Sequence, residues 1–269
     1  MKNIIKVNSS FIGINNECME FNDFIFNLFS PWQSDCDNPD HEFLITTSGK
    51  GYLFCDGENN IYCVSKEFLL SQLEYSLAVL IKDISSDHLH FHASCIDLNG
   101  KGVLIVGLQS SGKTTIAVKG LLNGFKSLGD DIVLVKNGSG EVTGFPRPFK
   151  LTDYTFGIIP HEILNKYPHY YIEKDLTYFF FNVTSGDFYS ESTDLKCIIF
   201  PVIKKGPFKV KQLGQIDALT KLMPHNFNLF DNNSENIKQI TDLIKNVPAY
   251  EISFFESNDI ISFCKDLFI

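Results

Sequence analysis

At 269 residues, with 44% hydrophobic and 20% charged side chains, the chain is long enough to bury a core in one large domain or two small ones. A formal net charge of −9 excludes a general nucleic-acid binder, which needs a basic face for phosphate contacts, although a local basic run stands at Lys204, Lys205, Lys209 and Lys211. No stretch approaches the roughly 18 consecutive apolar residues of a membrane span, and the first residues lack the pattern of a secretory signal, so a cytoplasmic location is expected, with no membrane partner.

Residues 1–64 read as short strands and turns. The apolar pieces Phe24–Phe29, Glu42–Thr46 and Tyr52–Cys55 are separated by NPD, SGKG and DGENN. Ser65 is placed to cap a helix over residues 66–83, in which Phe68, Leu69, Leu73, Leu77 and Leu80 recur at helical spacing. HLHFHASCIDLNG (residues 88–100) alternates as a strand closing on an Asn-Gly turn, with His88, His90 and His92 on one face. GVLIVG is a short, wholly apolar run of the kind buried on both faces of a sheet. A helix over 113–123 follows, stopped by Gly124, and then a second apolar strand, IVLVK. Strands are expected at Tyr178–Val183, Lys196–Val202 and AYEISFF, and helices at 234–246 and from Ser257 onward. The seven cysteines include no CxxC pair and are odd in number, which fits reduced thiols rather than a disulfide frame or a zinc site. The expected division is a β-rich portion with one amphipathic helix over 1–87 and an α/β core over 88–269.

The chemistry concentrates in one place. Gly107-Leu108-Gln109-Ser110-Ser111-Gly112-Lys113-Thr114 fits G-x-x-x-x-G-K-[ST] in full, between an apolar strand and a helix. Small residues let consecutive backbone N–H groups wrap phosphate oxygens, and the helix turns its positive end on the same charge. Lys113 can reach the β- and γ-phosphates, the Thr114 hydroxyl can ligate Mg²⁺, and Thr115 completes the nucleotide-contacting run. No NKxD motif favours GTP, and no LSGGQ marks a transporter, so ATP is the expected nucleotide. Asp130 and Asp131 follow Lys113 by 17 and 18 residues, just enough for one helix and one strand, which sets the pair beside the loop. Two carboxylates there can divide the work: one on the metal, one taking a proton from an attacking hydroxyl.

Residues 92–135, HASCIDLNGKGVLIVGLQSSGKTTIAVKGLLNGFKSLGDDIVLV, resemble the catalytic core of HPr kinase/phosphorylase and its HPr-kinase-like relatives. The resemblance rests on a histidine fifteen residues before the first loop glycine, the glycine-flanked strand, the loop, the helix ending in Gly-Phe and the Asp-Asp pair. It implies an α/β P-loop kinase core, related in fold to phosphoenolpyruvate carboxykinase, with ATP and Mg²⁺. It also implies Asp130 as general base and Asp131 as the metal-side carboxylate, two roles that are open to exchange, with His92 near the transferred group. Arg147, in FPRPFKL, is the only arginine beside 22 lysines and is held between prolines, a setting that suits bidentate phosphate binding. After Leu151 the segment that HPr kinase/phosphorylase uses for its substrate is not traceable, so the resemblance points toward stand-alone relatives that phosphorylate serine on a peptide. The acceptor readings are a Ser or Thr hydroxyl of a peptide or small protein, a small-metabolite hydroxyl, or no acceptor at all in a nucleotide-gated binding or assembly protein. Relatives of this kind also form homo-oligomers.

Overall fold

The computed structural model describes residues 2–7, 10–29, 34–145, 149–167, 169–173, 176–179, 188–228 and 233–268. It is mixed α/β and divides into two units. The first comprises residues 1–86, 150–153 and 162–184, and the second 87–149, 154–161 and 185–269. Segments 150–153 and 162–184, which the sequence-based division placed after residue 88, therefore belong with the N-terminal unit.

The first unit opens with β1 (Lys2–Val7) and β2 (Ser10–Asn16), then α1 (Asn22–Phe29), β3 (His41–Ser48), β4 (Gly51–Cys55) and β5 (Asn60–Cys63). The strands form one sheet in chain order, antiparallel except for the β2–β3 pair. Phe24–Phe29 is a helix, where its aromatic and β-branched residues suggested a strand. Phe21, Phe24 and Ile25 bury together at helical spacing while Phe26 stays exposed, so tertiary packing overrides local propensity. The expected amphipathic helix is α2 (Lys66–Ile84), and the Ser65 hydroxyl accepts from Phe68 N at 3.3 Å as its cap.

The second unit begins with β6 (His88–Phe91), β7 (Ala93–Asp97), β8 (Lys101–Val106), α3 (Lys113–Leu121), β9 (Lys126–Gly129), β10 (Val133–Lys136) and β11 (Glu141–Thr143). Next in the chain are β12 (Phe149–Thr152), α4 (Asp153–Gly157), α5 (His161–Lys166), β13 (His169–Glu173) and β14 (Leu176–Phe179). The three strands β12, β14 and β13 make a small sheet in that order. The part of the expected strand 178–183 beyond Phe179 lies outside the described residues. The chain then completes the second unit with β15 (Ser192–Ile203), β16 (Lys209–Gln212), α6 (Gln215–Leu222), α7 (Asn233–Asn246), β17 (Ala249–Phe254) and α8 (Ser257–Phe268).

The nine-stranded sheet of this unit is built around β15. Its first part pairs with β11 and its last part with β17, while β8 runs parallel along the other side. The apolar runs legible in the sequence are its centre: Val103, Leu104, Ile105 and Val106 of β8 and Val133, Leu134 and Val135 of β10 are buried. The single strand expected over 88–100 is two. It breaks at His92, so that β6 pairs with β10 whereas β7 pairs with β8 and β9.

Candidate functional site

β8 enters the glycine-rich loop at Gly107 and α3 leaves it at Lys113. Ser110 and Gly112 both adopt left-handed backbone, with φ of 63° and 91°, which turns the chain back on itself just before the helix. The loop closes tightly at its start, where a Cβ on Gly107 would stand 2.6 Å from Ser111 Oγ. That same Ser111 hydroxyl is buried with no hydrogen-bond partner among the described residues, an orphaned polar atom in the loop. Leu108 is exposed at the loop tip beside Gln109. Lys113 is buried at 7% exposure, and its Nζ donates to the carbonyls of Gly107 at 2.8 Å and Leu108 at 3.2 Å. Burial holds its ammonium below the usual lysine value, against the pull of the Asp131 and Asp130 charges.

β9 delivers the acidic pair. Gly129 permits the turn, since a Cβ there would lie 2.5 Å from the Ile132 carbonyl. Asp130 is 3% exposed, and its two carboxylate oxygens each accept a hydroxyl: Thr114 Oγ1 at 2.9 Å on Oδ2 and Ser94 Oγ on Oδ1. Asp131 is partly exposed and sits at φ 66°, a conformation uncommon for a residue with a side chain. Its carbonyl is 3.2 Å from His92 Nδ1. Thr115 shares a 2.8 Å hydrogen bond with the buried Thr155 hydroxyl. His92, Lys113, Thr114, Asp130 and Asp131 thus form one neighbourhood, with Ser94 as an addition that the sequence did not single out. Arg147 lies outside the described residues.

His88 and His90 are not part of this neighbourhood. Both are buried in β6, and the ring nitrogens of His88 are engaged by Asp87 Oδ1 at 2.7 Å and Thr143 Oγ1 at 2.9 Å.

A second addition comes from far along the chain. The segment after α6 runs antiparallel to β6: His90 N donates to Asn228 Oδ1 at 2.7 Å, Phe227 N to the His90 carbonyl at 2.8 Å, and His92 N to the His225 carbonyl at 2.7 Å. The His225 ring lies near-parallel to that of His92, 6.4 Å between centroids, and Phe227 stands edge-on at 6.0 Å. Burial, then His92, then Lys113 push the His225 imidazole below its ordinary value of 6.5. The folded state therefore takes up this proton less readily than the unfolded chain, so His225 lowers stability as pH falls through 6.5, an effect complete once pH is below the folded value. His225→Gln should accordingly lose less stability than the parent between about pH 7 and pH 5, read as the denaturation midpoint at each pH. A midpoint difference that stays constant over that range would mean that burial and the neighbouring His92 and Lys113 do not hold His225 below its ordinary value. The only sequence signal for it was the residue type, since nothing local ties residue 225 to residue 92.

The class of molecule is thus a mixed α/β chain with a glycine-rich turn joining a buried strand to a helix, facing a buried and a partly exposed carboxylate. No family model and no curated protein matches the chain. Among solved structures, the Hpr(Ser) kinase/phosphatase from Coxiella burnetii is similar at 13% identity and a TM-score of 0.34, over 66% of this chain and 94% of that one, a distant likeness. No helix among the described residues is long and apolar enough to cross a membrane.

Proposed function

We propose that the chain is an ATP-dependent phosphotransferase that moves the γ-phosphoryl group to a hydroxyl, that of Ser or Thr in a peptide or small protein. The observation that carries this reading is the 2.9 Å hydrogen bond from Thr114 to Asp130 at the first turn of α3. It sets a hydroxyl and a carboxylate together at the amino end of the helix that leaves the loop. Hard oxygen donors of this kind suit Mg²⁺, and the orphaned Ser111 hydroxyl and the left-handed turns at Ser110 and Gly112 suit phosphate oxygens. The residues fit the group. Thr114 and Asp130 would hold Mg²⁺, which supplies charge neutralisation on the β- and γ-phosphates when bound.

The two carboxylates then exchange the roles that the family resemblance implied. Asp130, buried and already accepting two hydroxyls, belongs on the metal side, and partly exposed Asp131 is the base that orients the acceptor hydroxyl and takes its proton. Lys113 and the loop N–H groups hold phosphate charge, and His92 steadies the Asp131 turn through its carbonyl. The catalytic gain comes from positioning and fixed charge, because phosphoryl transfer needs little covalent help.

The test is incubation of the purified chain with γ-labelled ATP and Mg²⁺, with and without Ser-containing peptides, followed by mass analysis of the peptide. Label on a hydroxyl that depends on Mg²⁺ is the expected result. Tight ATP binding with no transfer to peptide or small alcohol would replace the kinase by a nucleotide-gated binding protein.

A further inference from the structure

Residues 202–212 are exposed without interruption, from the end of β15 through β16. Within them, Lys204-Lys205-Gly206-Pro207-Phe208-Lys209-Val210-Lys211 carries four lysines and no acid, in a chain whose net charge is −9. Lys204, Lys205 and Lys209 enter no ion pair among the described residues. Lys211 stands opposite Glu251, whose carboxylate is paired with Lys221 at 2.9 Å. Among the described residues β16 pairs only with β17, so its outer edge presents backbone N–H and C=O groups without strand partners. Phe208 and Val210 are exposed between the lysines, and Ile203 just before them.

The start of this run also lies beside the glycine-rich loop. Lys204 N donates to the Phe254 carbonyl at 2.8 Å, which ties the start of the basic run to the carboxyl end of β17. Ile203 and Phe254 side chains lie 3.4 and 3.6 Å from where a Cβ on Gly112 would stand. The basic run thus begins at the ends of two parallel strands that abut the loop, the place where open α/β sheets take their ligands.

We infer that the free edge of β16 docks an acidic, Ser- or Thr-containing segment of the acceptor, which adds as a further strand with its carboxylates against Lys204, Lys205 and Lys209. The inference rests on the kinase reading for its consequence, the delivery of a hydroxyl to Asp131, but the binding itself does not. Main-chain pairing supplies affinity, and the lysines and the exposed apolar side chains select the sequence. Lysines on an edge strand also keep sheets from joining one another. Lys204 and Lys205, however, precede the strand and are not needed for that.

Fluorescence anisotropy of the full chain with a labelled 12-residue peptide of Glu, Ser and Val, beside a control with Lys in place of Glu, tests it. The acidic peptide should bind at least tenfold tighter than the control. Lys204→Glu/Lys205→Glu should remove that preference while leaving ATP affinity unchanged, and methylating alternate peptide amides should weaken binding about tenfold. If the acidic peptide binds this way yet never receives label, the kinase reading fails and the docking surface stands. Equal binding of both peptides, or binding indifferent to the lysine substitutions, overturns the inference. So does stronger binding to phosphatidylserine vesicles or to single-stranded DNA that the same substitutions abolish.

Discussion

Asp131→Asn is expected to lower phosphoryl transfer by about three powers of ten while nucleotide affinity and the Mg²⁺ concentration for half-activation stay within about twofold, the span typical of losing a positioned base. The physical ground is the contrast between neighbours. Asp130 spends both oxygens on Ser94 and Thr114 inside the fold, whereas Asp131 keeps partial exposure on a backbone turned to φ 66°. An amide at 131 preserves shape and one accepting oxygen but cannot take a proton. Asn tolerates left-handed backbone as well as Asp does, so folding should be unaffected. Asp130→Asn should behave differently: it weakens the oxygen set with Thr114, so half-activation should need about tenfold more Mg²⁺. Single-turnover rates across a Mg²⁺ titration separate the two variants. If the Asp130 variant loses transfer at unchanged Mg²⁺ demand and the Asp131 variant does not, the roles are those that the family resemblance implied.

Lys113→Met should reduce turnover by about two to three powers of ten and weaken ATP binding, yet leave the melting temperature equal or higher. The sign follows from burial. The folded value of Lys113 is held below its usual 10.5, so the protonated amine opposes folding at neutral pH and that opposition fades as pH rises through the folded value. Methionine fills a similar volume without the charge, and water can reach the partly exposed Gly107 and the exposed Leu108 to replace the lost hydrogen bonds. Calorimetry at pH 7 beside a turnover assay reads both halves. A melting temperature several degrees lower would mean that the lysine serves the fold, through its two carbonyl contacts, more than the phosphates.

What the sequence revealed and what it hid divide along the range of the interactions. The strand–loop–helix around Gly107–Thr114 and the nearness of Asp130 and Asp131 follow from local periodicity and chain length, and both were legible. The contrast between the two aspartates was not, because it depends on the tight turn after Gly129, where a Cβ would meet the Ile132 carbonyl, on the left-handed backbone at Asp131, and on the hydroxyls that bury Asp130. Ser94 and His225 were hidden for a different reason. Ser94 reaches Asp130 only because β7 and β9 pair, and His225 reaches His92 only because a distant segment lies along β6. The helix at Phe24–Phe29 shows the converse, a local preference overruled by burial.

The first unit is not finished where its first long stretch ends. Its Glu74, nearly buried on α2, is paired with Lys150 at 2.5 Å, and β13 lies against the same helix, so partners for a helix made early arrive some seventy to a hundred residues later. On the ribosome, the Glu74–Lys150 ion pair and the packing of α2 on β13 must wait until the whole glycine-rich loop, the acidic turn and β11 have been made, although β1–β5 can pair before then. A fragment cut near residue 87 would carry an acid deprived of its lysine and a helix face deprived of its strand, which makes it a poor candidate for separate expression. The same threading binds the timing of the two units together: the N-terminal unit can complete itself only after much of the second unit's sequence has left the exit tunnel.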